Sequence, residues 1–147
     1  VNTAGPFHLC QAVLPVMVEQ GYGRVINIAS SAGKWASRNQ AVYNMSKHAL
    51  IGMTRCLAME YAAHGITVHA LCPGLVRTDM SAALESEQAA AGGVSPEQVH
   101  QTMVGRIAIG RYLEAEECGP LAVLLASEES AGMTGQSIMV DGGMIFV

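Results

Sequence analysis

Two short apolar runs, Arg24-Val25-Ile26-Asn27-Ile28-Ala29 and Ile66-Thr67-Val68-His69-Ala70-Leu71, flank one long stretch of helical periodicity, and this alternation constrains the fold more tightly than any other feature of the chain. Neither run shows the strict in-and-out pattern of a half-solvated strand, so both suit parallel strands covered on two faces. Between them, Gln40 to His64 places Val42, Met45, Ala49, Met53 and Leu57 along one face, with Gly65 as the stop. Strand, helix and strand make one crossover unit, for which the right-handed parallel connection is the overwhelming default. The predicted class is α/β with a parallel sheet.

The rest of the chain extends this pattern. Phe7 to Val18 reads as a helix that ends at Gly21-Tyr22-Gly23. Pro73-Gly74 closes the second strand, because proline cannot continue a central ladder. From Met80 to Gly105 the composition shifts toward Ala, Ser, Glu and Gln, and Ser95-Pro96-Glu97-Gln98 offers an N-cap, a proline at N1 and a capping-box glutamine. This predicts a mobile helical insertion over about 80–105 with Gly92-Gly93 as a hinge. Glu114 to Ser127 should hold a helix that starts late or kinks at Gly119-Pro120. Gln136 to Val140 should be the last strand, followed by a turn at Asp141-Gly142-Gly143. No repeat or linker divides the chain, so residues 1–147 are expected to form a single domain.

Composition excludes several function classes. With 50% hydrophobic and 14% charged residues the chain can bury a core, and its net charge of -4 comes from scattered single charges. No basic run tracks a phosphate backbone or an anionic bilayer, so neither nucleic acid nor membrane is an expected partner. No apolar stretch reaches the roughly 18 to 20 residues that span a bilayer. Cys10, Cys56, Cys72 and Cys118 lie far apart without a CxxC pair, and His8, His48, His64, His69 and His100 show no ligand spacing. A metal site and a disulfide framework are not expected, and a reducing cytoplasm fits best.

The chemistry gathers around the first crossover. Tyr43 and Lys47 are i and i+4 neighbours at the start of the long helix, which puts an ammonium beside a phenol on one face. A nearby cation favours the phenolate and lowers the phenol's pKa, so such a tyrosine can exchange a proton with a substrate oxygen. Ser30 lies just past the first strand, where it would hold the same oxygen. All three would sit beyond the carboxyl end of a parallel strand, where open α/β sheets place ligands. Plainer readings stand beside these. Tyr-x-x-x-Lys is also a common solvated pair, a serine after a strand commonly satisfies local backbone, and Asn2 taken alone reads as a helix cap. Trp35, in the loop between serine and tyrosine, suits core packing and substrate contact equally.

In order and spacing these segments resemble the short-chain dehydrogenase/reductase family along nearly the whole chain. Val1-Asn2 with Gly5 and Phe7 is similar to its catalytic-asparagine helix, and Gly23 through Ser30 to its catalytic-serine strand. Tyr43-Asn44-Met45-Ser46-Lys47 resembles the YxxSK segment, 13 positions after Ser30. Gly65-Ile66-Thr67-Val68 leading to Pro73-Gly74-Leu75-Val76-Arg77-Thr78 is similar to the stretch that receives the nicotinamide, and Ile109-Gly110-Arg111 through Val140-Asp141-Gly142-Gly143 resembles the family's ending. Ser46-Lys47-His48 and Cys72-Pro73-Gly74 look more narrowly like 3-oxoacyl and polyketide ketoreductases.

The resemblance implies a Rossmann-like doubly wound parallel sheet and an NAD- or NADP-dependent interconversion of ketone and secondary alcohol. It implies Tyr43 as proton donor or acceptor, Lys47 as its partner and a ribose ligand, and Ser30 as orienter of the substrate oxygen. Asn2 would hold a water that links Lys47 to solvent, while Pro73, Gly74, Val76 and Thr78 would line the nicotinamide pocket, with 80–105 as a substrate lid. A homodimer or homotetramer is implied too. The family's strand, Gly-rich turn and helix N-terminus for the cofactor pyrophosphate have no counterpart here, nor has the residue that selects between NAD and NADP. The chain is therefore expected to be truncated at its N-terminus and to supply about three strands of a sheet of about seven. A non-catalytic fragment, or an interaction module that does not bind cofactor, is the alternative.

Overall fold

The computed structural model describes residues 1–146. Strands β1 (Gly23–Ile28), β2 (Ile66–Pro73) and β3 (Ser137–Val140) form one parallel sheet in the order β1-β2-β3. Gly23 pairs with Ile66 and Ile28 with Leu71, while Ala70 to Pro73 pair with Ser137 to Val140. β2 is central, and seven of its eight residues are buried, as its unbroken apolar run requires.

Helices α1 (Ala4–Gln20) and α2 (Ala41–Tyr61) cover one face of the sheet. There Cys10, Leu14 and Ala58 meet Ile66 and Val68, and Leu50 and Ile51 meet Ala70 and Cys72. Alternation sends Thr67, His69 and Leu71 to the other face, where α5 (Gly119–Ala126) packs through the fully buried Leu125. This is the Rossmann-like α/β arrangement read from the sequence.

Three local expectations are amended and one is met. Of the face of α2 read as apolar, Met53 and Leu57 pack against the core, whereas Val42, Met45 and Ala49 lie in solvent, with Val42 76% and Met45 66% exposed. The first turns instead leave the sheet to Leu50, Ile51, Thr54 and Ala58, because the helix carries two apolar stripes and periodicity alone does not choose between them. Second, β2 runs through Pro73 as the last rung of its ladder, and the bond proline cannot give is made by Gly74 N to Val140 O at 2.9 Å. Third, the 114–127 helix starts late, as expected. Ala115–Cys118 is a 3-10 turn and α5 follows with Pro120 in its first turn, where a missing N–H costs nothing. Fourth, the 80–105 segment is a pair of helices, α3 (Asp79–Gly92) and α4 (Pro96–Val104), with a core of its own formed by Ala89, Val99, Met103, Ile107 and Tyr112. Its Ser95–Gln98 capping box forms as read, with bonds of 2.9 and 3.2 Å. Gly93 of the expected hinge serves as the left-handed C-cap of α3.

Two buried polar contacts tie the layers together. Asn27 Nδ2 donates to Thr54 Oγ1 at 2.9 Å, and Thr54 Oγ1 donates to Leu50 O at 2.9 Å, so β1 and α2 share a satisfied pair inside an apolar interface. At the opposite end of the sheet the stops of α1 and α2 pack together. Gly65 has φ +74 and a Cβ there would strike the carbonyl oxygen of Gly21, so the position admits only glycine.

His69 on β2 is fully buried; its Nε2 donates to Met133 O at 3.1 Å and its Nδ1 has no partner. Burial pulls its pKa below the ordinary imidazole value, the Met133 bond opposing and Arg24 adding to the effect. The folded ring is thus neutral, while the unfolded chain takes up a proton near pH 6.5, so this residue withdraws stability as pH falls below about 6.5. The urea midpoint should drop between pH 7.5 and pH 5.5, and the H69Q variant should show a smaller drop.

Candidate active site

α2 begins at the carboxyl end of β1, which places Tyr43 in its first turn and Lys47 one turn later. Lys47 Nζ donates to the carbonyl of Ile28, the last residue of β1, at 3.0 Å and lies 5.7 Å from the centroid of the Tyr43 ring. Burial pulls the Lys47 pKa down, and the Cys72 thiol offsets part of that. The Tyr43 side of the pair is open, the residue being 37% exposed. Ser30 caps the 3-10 turn Ser31–Gly33, its Oγ accepting from Ala32 N at 3.1 Å, which leaves its O–H free to donate. The turn lies hard against α2: a Cβ on Gly33 would stand 2.8 Å from Lys47 O and 2.7 Å from Ile51 Cδ1. Glycine at 33 therefore brings the serine turn down onto the Tyr43 helix.

Asn2 reaches this helix through Ser46. Its Nδ2 donates to Ser46 Oγ at 3.3 Å, and Ser46 Oγ donates to Tyr43 O at 2.7 Å. The residue is joined to the neighbour of Lys47, and the position that caps α1 is Thr3. Because β1 and β2 are parallel, Pro73, Gly74, Val76 and Thr78 leave the same end of the sheet. That run is stitched down by Val76 bridging to Leu113, by Arg77 N to Leu113 O at 2.8 Å and by Leu113 N to Leu75 O at 3.0 Å. Thr78 Oγ1 accepts from Ser81 N at 3.2 Å as the N-cap of α3. The structure thus gathers Asn2, Ser30, Tyr43 and Lys47 around the start of α2, with the 73–78 run rising from the adjacent strand.

Asn44 was missed. It is 8% exposed, donates from Nδ2 to Trp35 O at 3.0 Å, and accepts at Oδ1 from Ser37 Oγ at 3.0 Å. It clamps the Trp35 loop to α2 beside Tyr43, and in the same loop Asn39 adopts a left-handed φ of 60°. Trp35 is half-buried, with the Arg106 guanidinium over its ring at 5.8 Å. The available signal was a polar residue on the stripe Asn44, Ile51 and Ala58, at heptad spacing along the buried side of α2.

Comparison with known proteins points one way. The family model described as Enoyl-(Acyl carrier protein) reductase matches residues 1–145. The 3-oxoacyl-[acyl-carrier-protein] reductase of Thermotoga maritima is 37% identical over 145 residues, covering 99% of this chain and 54% of that protein. The crystal structure of an F189W actinorhodin polyketide ketoreductase with NADPH superposes with a TM-score of 0.93 at 37% identity, over 98% of this chain and 56% of that one. A gluconate 5-dehydrogenase from Burkholderia cenocepacia, in complex with NADP and tartrate, gives 0.88 at 31% identity, over 98% and 53%. The chain spans about half the length of the relatives it matches. Among the described residues no helix is long and apolar enough to cross a membrane.

Trp35 is the only tryptophan, so its fluorescence reports the clamp directly. Asn44→Ala should leave the Trp35 carbonyl without its donor, lower stability by about 1–3 kcal/mol and raise acrylamide quenching of Trp35. Unfolding curves and Stern–Volmer slopes measure the two effects.

Proposed function

The chain belongs to the short-chain dehydrogenase/reductase family, and on that footing we propose that it carries the catalytic residues of an NAD(P)-dependent oxidoreductase interconverting a ketone and a secondary alcohol. The observation that carries this reading is the placing of Lys47 Nζ, 5.7 Å from the Tyr43 ring and bonded to the end of β1, at the edge of the serine turn.

In the reductive direction the Tyr43 hydroxyl gives its proton to the carbonyl oxygen, and the free O–H of Ser30 holds that oxygen in line. Lys47 supplies positive charge beside the ring as the phenolate develops, and Asn2 steadies this turn of α2 through Ser46. NADH or NADPH, when bound, supplies the hydride to the carbonyl carbon. The residues present fit its nicotinamide end: a lysine for the ribose and a fixed run at Pro73, Gly74, Val76 and Thr78 beyond a parallel strand. Among the described residues no strand passes through a Gly-rich turn into a helix N-terminus, the usual cradle of a pyrophosphate. The NADPH and NADP of the two solved relatives support this cofactor class, and the names of the relatives support a small carbonyl or alcohol substrate. The helices α3 and α4 serve as the substrate lid, with Trp35 as the facing wall. Four free thiols suit a reducing cytoplasmic setting.

The proposed partner is a second copy of the chain. Val42, Met45, Ala49, Gly52, Cys56 and Met59 recur at alternating spacings of three and four along α2, and all are exposed. That is the spacing of a helix-pairing seam, with small residues at its middle for close approach.

Two measurements test these readings. In the polypeptide that carries these residues, Tyr43→Phe should lower kcat for carbonyl reduction by about 10²–10⁴-fold while fluorescence titration with NADPH and NADH shows cofactor binding unchanged. A variant that keeps its turnover would turn the reading to a non-catalytic module. For the second, Ala49→Glu should shift sedimentation velocity from dimer or larger to monomer without altering the thermal unfolding of the monomer.

A further inference from the structure

We propose that Arg106 is a positioning residue that holds the Trp35 indole as a fixed wall of the Tyr43 site, a role that rests on the oxidoreductase reading. Its guanidinium carbon lies 5.8 Å from the centroid of the Trp35 ring, within the roughly 6 Å at which a cation is drawn to an aromatic face. Among the described residues this guanidinium makes no ion pair and no side-chain hydrogen bond, whereas Arg24, Arg77 and Arg111 are each paired with a glutamate. The ring is therefore what the charge is placed against.

Trp35 lacks any other polar restraint on its ring. Asn44 holds the Trp35 carbonyl at 3.0 Å and Ser37 is bonded to the same amide, which fixes the loop backbone beside Tyr43. That clamp stops at the main chain. A tryptophan still turns about two side-chain torsions, and the indole N–H has no hydrogen bond among the described residues. The residue is half-buried, so packing covers only part of the indole.

Arg106, by contrast, rises from a rigid base. Its N–H donates to Met103 O at 3.1 Å and Ile107 N donates to Val104 O at 2.9 Å, in the turn that ends α4. Met103 and Ile107 both belong to the core under α3 and α4. Ile109 N donates to Gly142 O at 3.1 Å, and Ile107 and Ile109 fill the space that a Cβ on Gly142 would need, so the segment is also anchored to the turn after β3. A stem rooted between the lid and the end of the sheet thus sets its charge on a ring rooted beside Tyr43. Trp35 lies in the loop that runs from Ser30 to Tyr43, so the direction of its ring governs how a ketone approaches the two hydroxyls. A ring free to turn costs the ketone its wall and leaves proton transfer intact, because Lys47 keeps its bond to Ile28 and its place beside Tyr43. Arg106 is exposed, and an exposed pair of this kind favours the held ring by about two- to fivefold.

The test compares R106M, which keeps the length of the side chain without its charge, with R106K, which keeps the charge without the planar fork that stacks on a ring. Trp35 is the only tryptophan, so acrylamide quenching of the 147-residue chain reads the indole directly. The Stern–Volmer slope should rise in R106M and take an intermediate value in R106K. In the polypeptide that carries these residues, ethyl acetoacetate and ethyl benzoylacetate serve as a small and a bulky ketone, with NADPH or NADH in excess. R106M should raise KM for the small ketone by about two- to fivefold with kcat unchanged and lose the same factor in discrimination between the two, and R106K should recover part of both. Unchanged quenching in R106M, a fall in kcat without a rise in KM, or equal KM in all three forms would each overturn the proposal. If the unsubstituted protein turns over neither ketone, the oxidoreductase reading fails instead, and quenching still decides whether Arg106 holds the ring.

Discussion

The hydrogen bond from Asn27 to Thr54, buried where β1 meets α2, fixes the one relation on which the site depends, the rotation and height of α2 over the sheet. Removing Thr54 leaves the Asn27 amide unsatisfied in an apolar interface, at a cost of about 1–3 kcal/mol, whereas removing Asn27 leaves Thr54 only its bond to Leu50 O. With α2 seated in this way, Lys47 falls opposite the last carbonyl of β1, Gly33 can touch the helix backbone, and Tyr43 is left at the open rim. A rotation of the helix by one residue would carry Lys47 off Ile28 and close the approach of the serine turn. The polar pair specifies an orientation that packing of Leu50 and Ile51 alone would leave free.

What was legible in the sequence divides along physical lines. Strand and helix positions were legible because period and punctuation are local: Gly65, Pro120 and the Ser95 capping box each act within a few residues of themselves. The Ser30, Tyr43 and Lys47 grouping was legible because a crossover unit returns them to one end of the sheet whatever the side-chain detail. The orientation of α2 was not, since Val42, Met45 and Ala49 make as apolar a stripe as Leu50 and Ile51, and the choice is made by Asn27 across the interface. Asn44 was hidden for the same reason: its partners, Trp35 and Ser37, lie on a loop whose path no local signal predicts.

The molecule is built from two packing units that meet at the site. One is the sheet with α1, α2 and α5; the other is the small cluster of Ala89, Val99, Met103, Ile107 and Tyr112 under α3 and α4. Their seam runs along Leu75 to Arg77 against Leu113, beside the end of β2. His100 and Glu85, bonded at 2.8 Å, lock the helices of the second unit to each other. Movement of α3 and α4 as a body is thus compatible with an undisturbed sheet.

The order of the ladder has a kinetic meaning. Both pairings are parallel, and the second joins Ala70 to Ser137 across α3, α4 and α5. A contact so distant in sequence is made only after much chain entropy has been lost, whereas β1, α2 and β2 are consecutive and can assemble first. Until β3 arrives, Ala70 to Pro73 present an apolar edge with unpaired backbone groups. The nascent chain is most exposed to misassociation in that interval, and the speed with which Ser137 to Val140 dock governs how much of it reaches the native state.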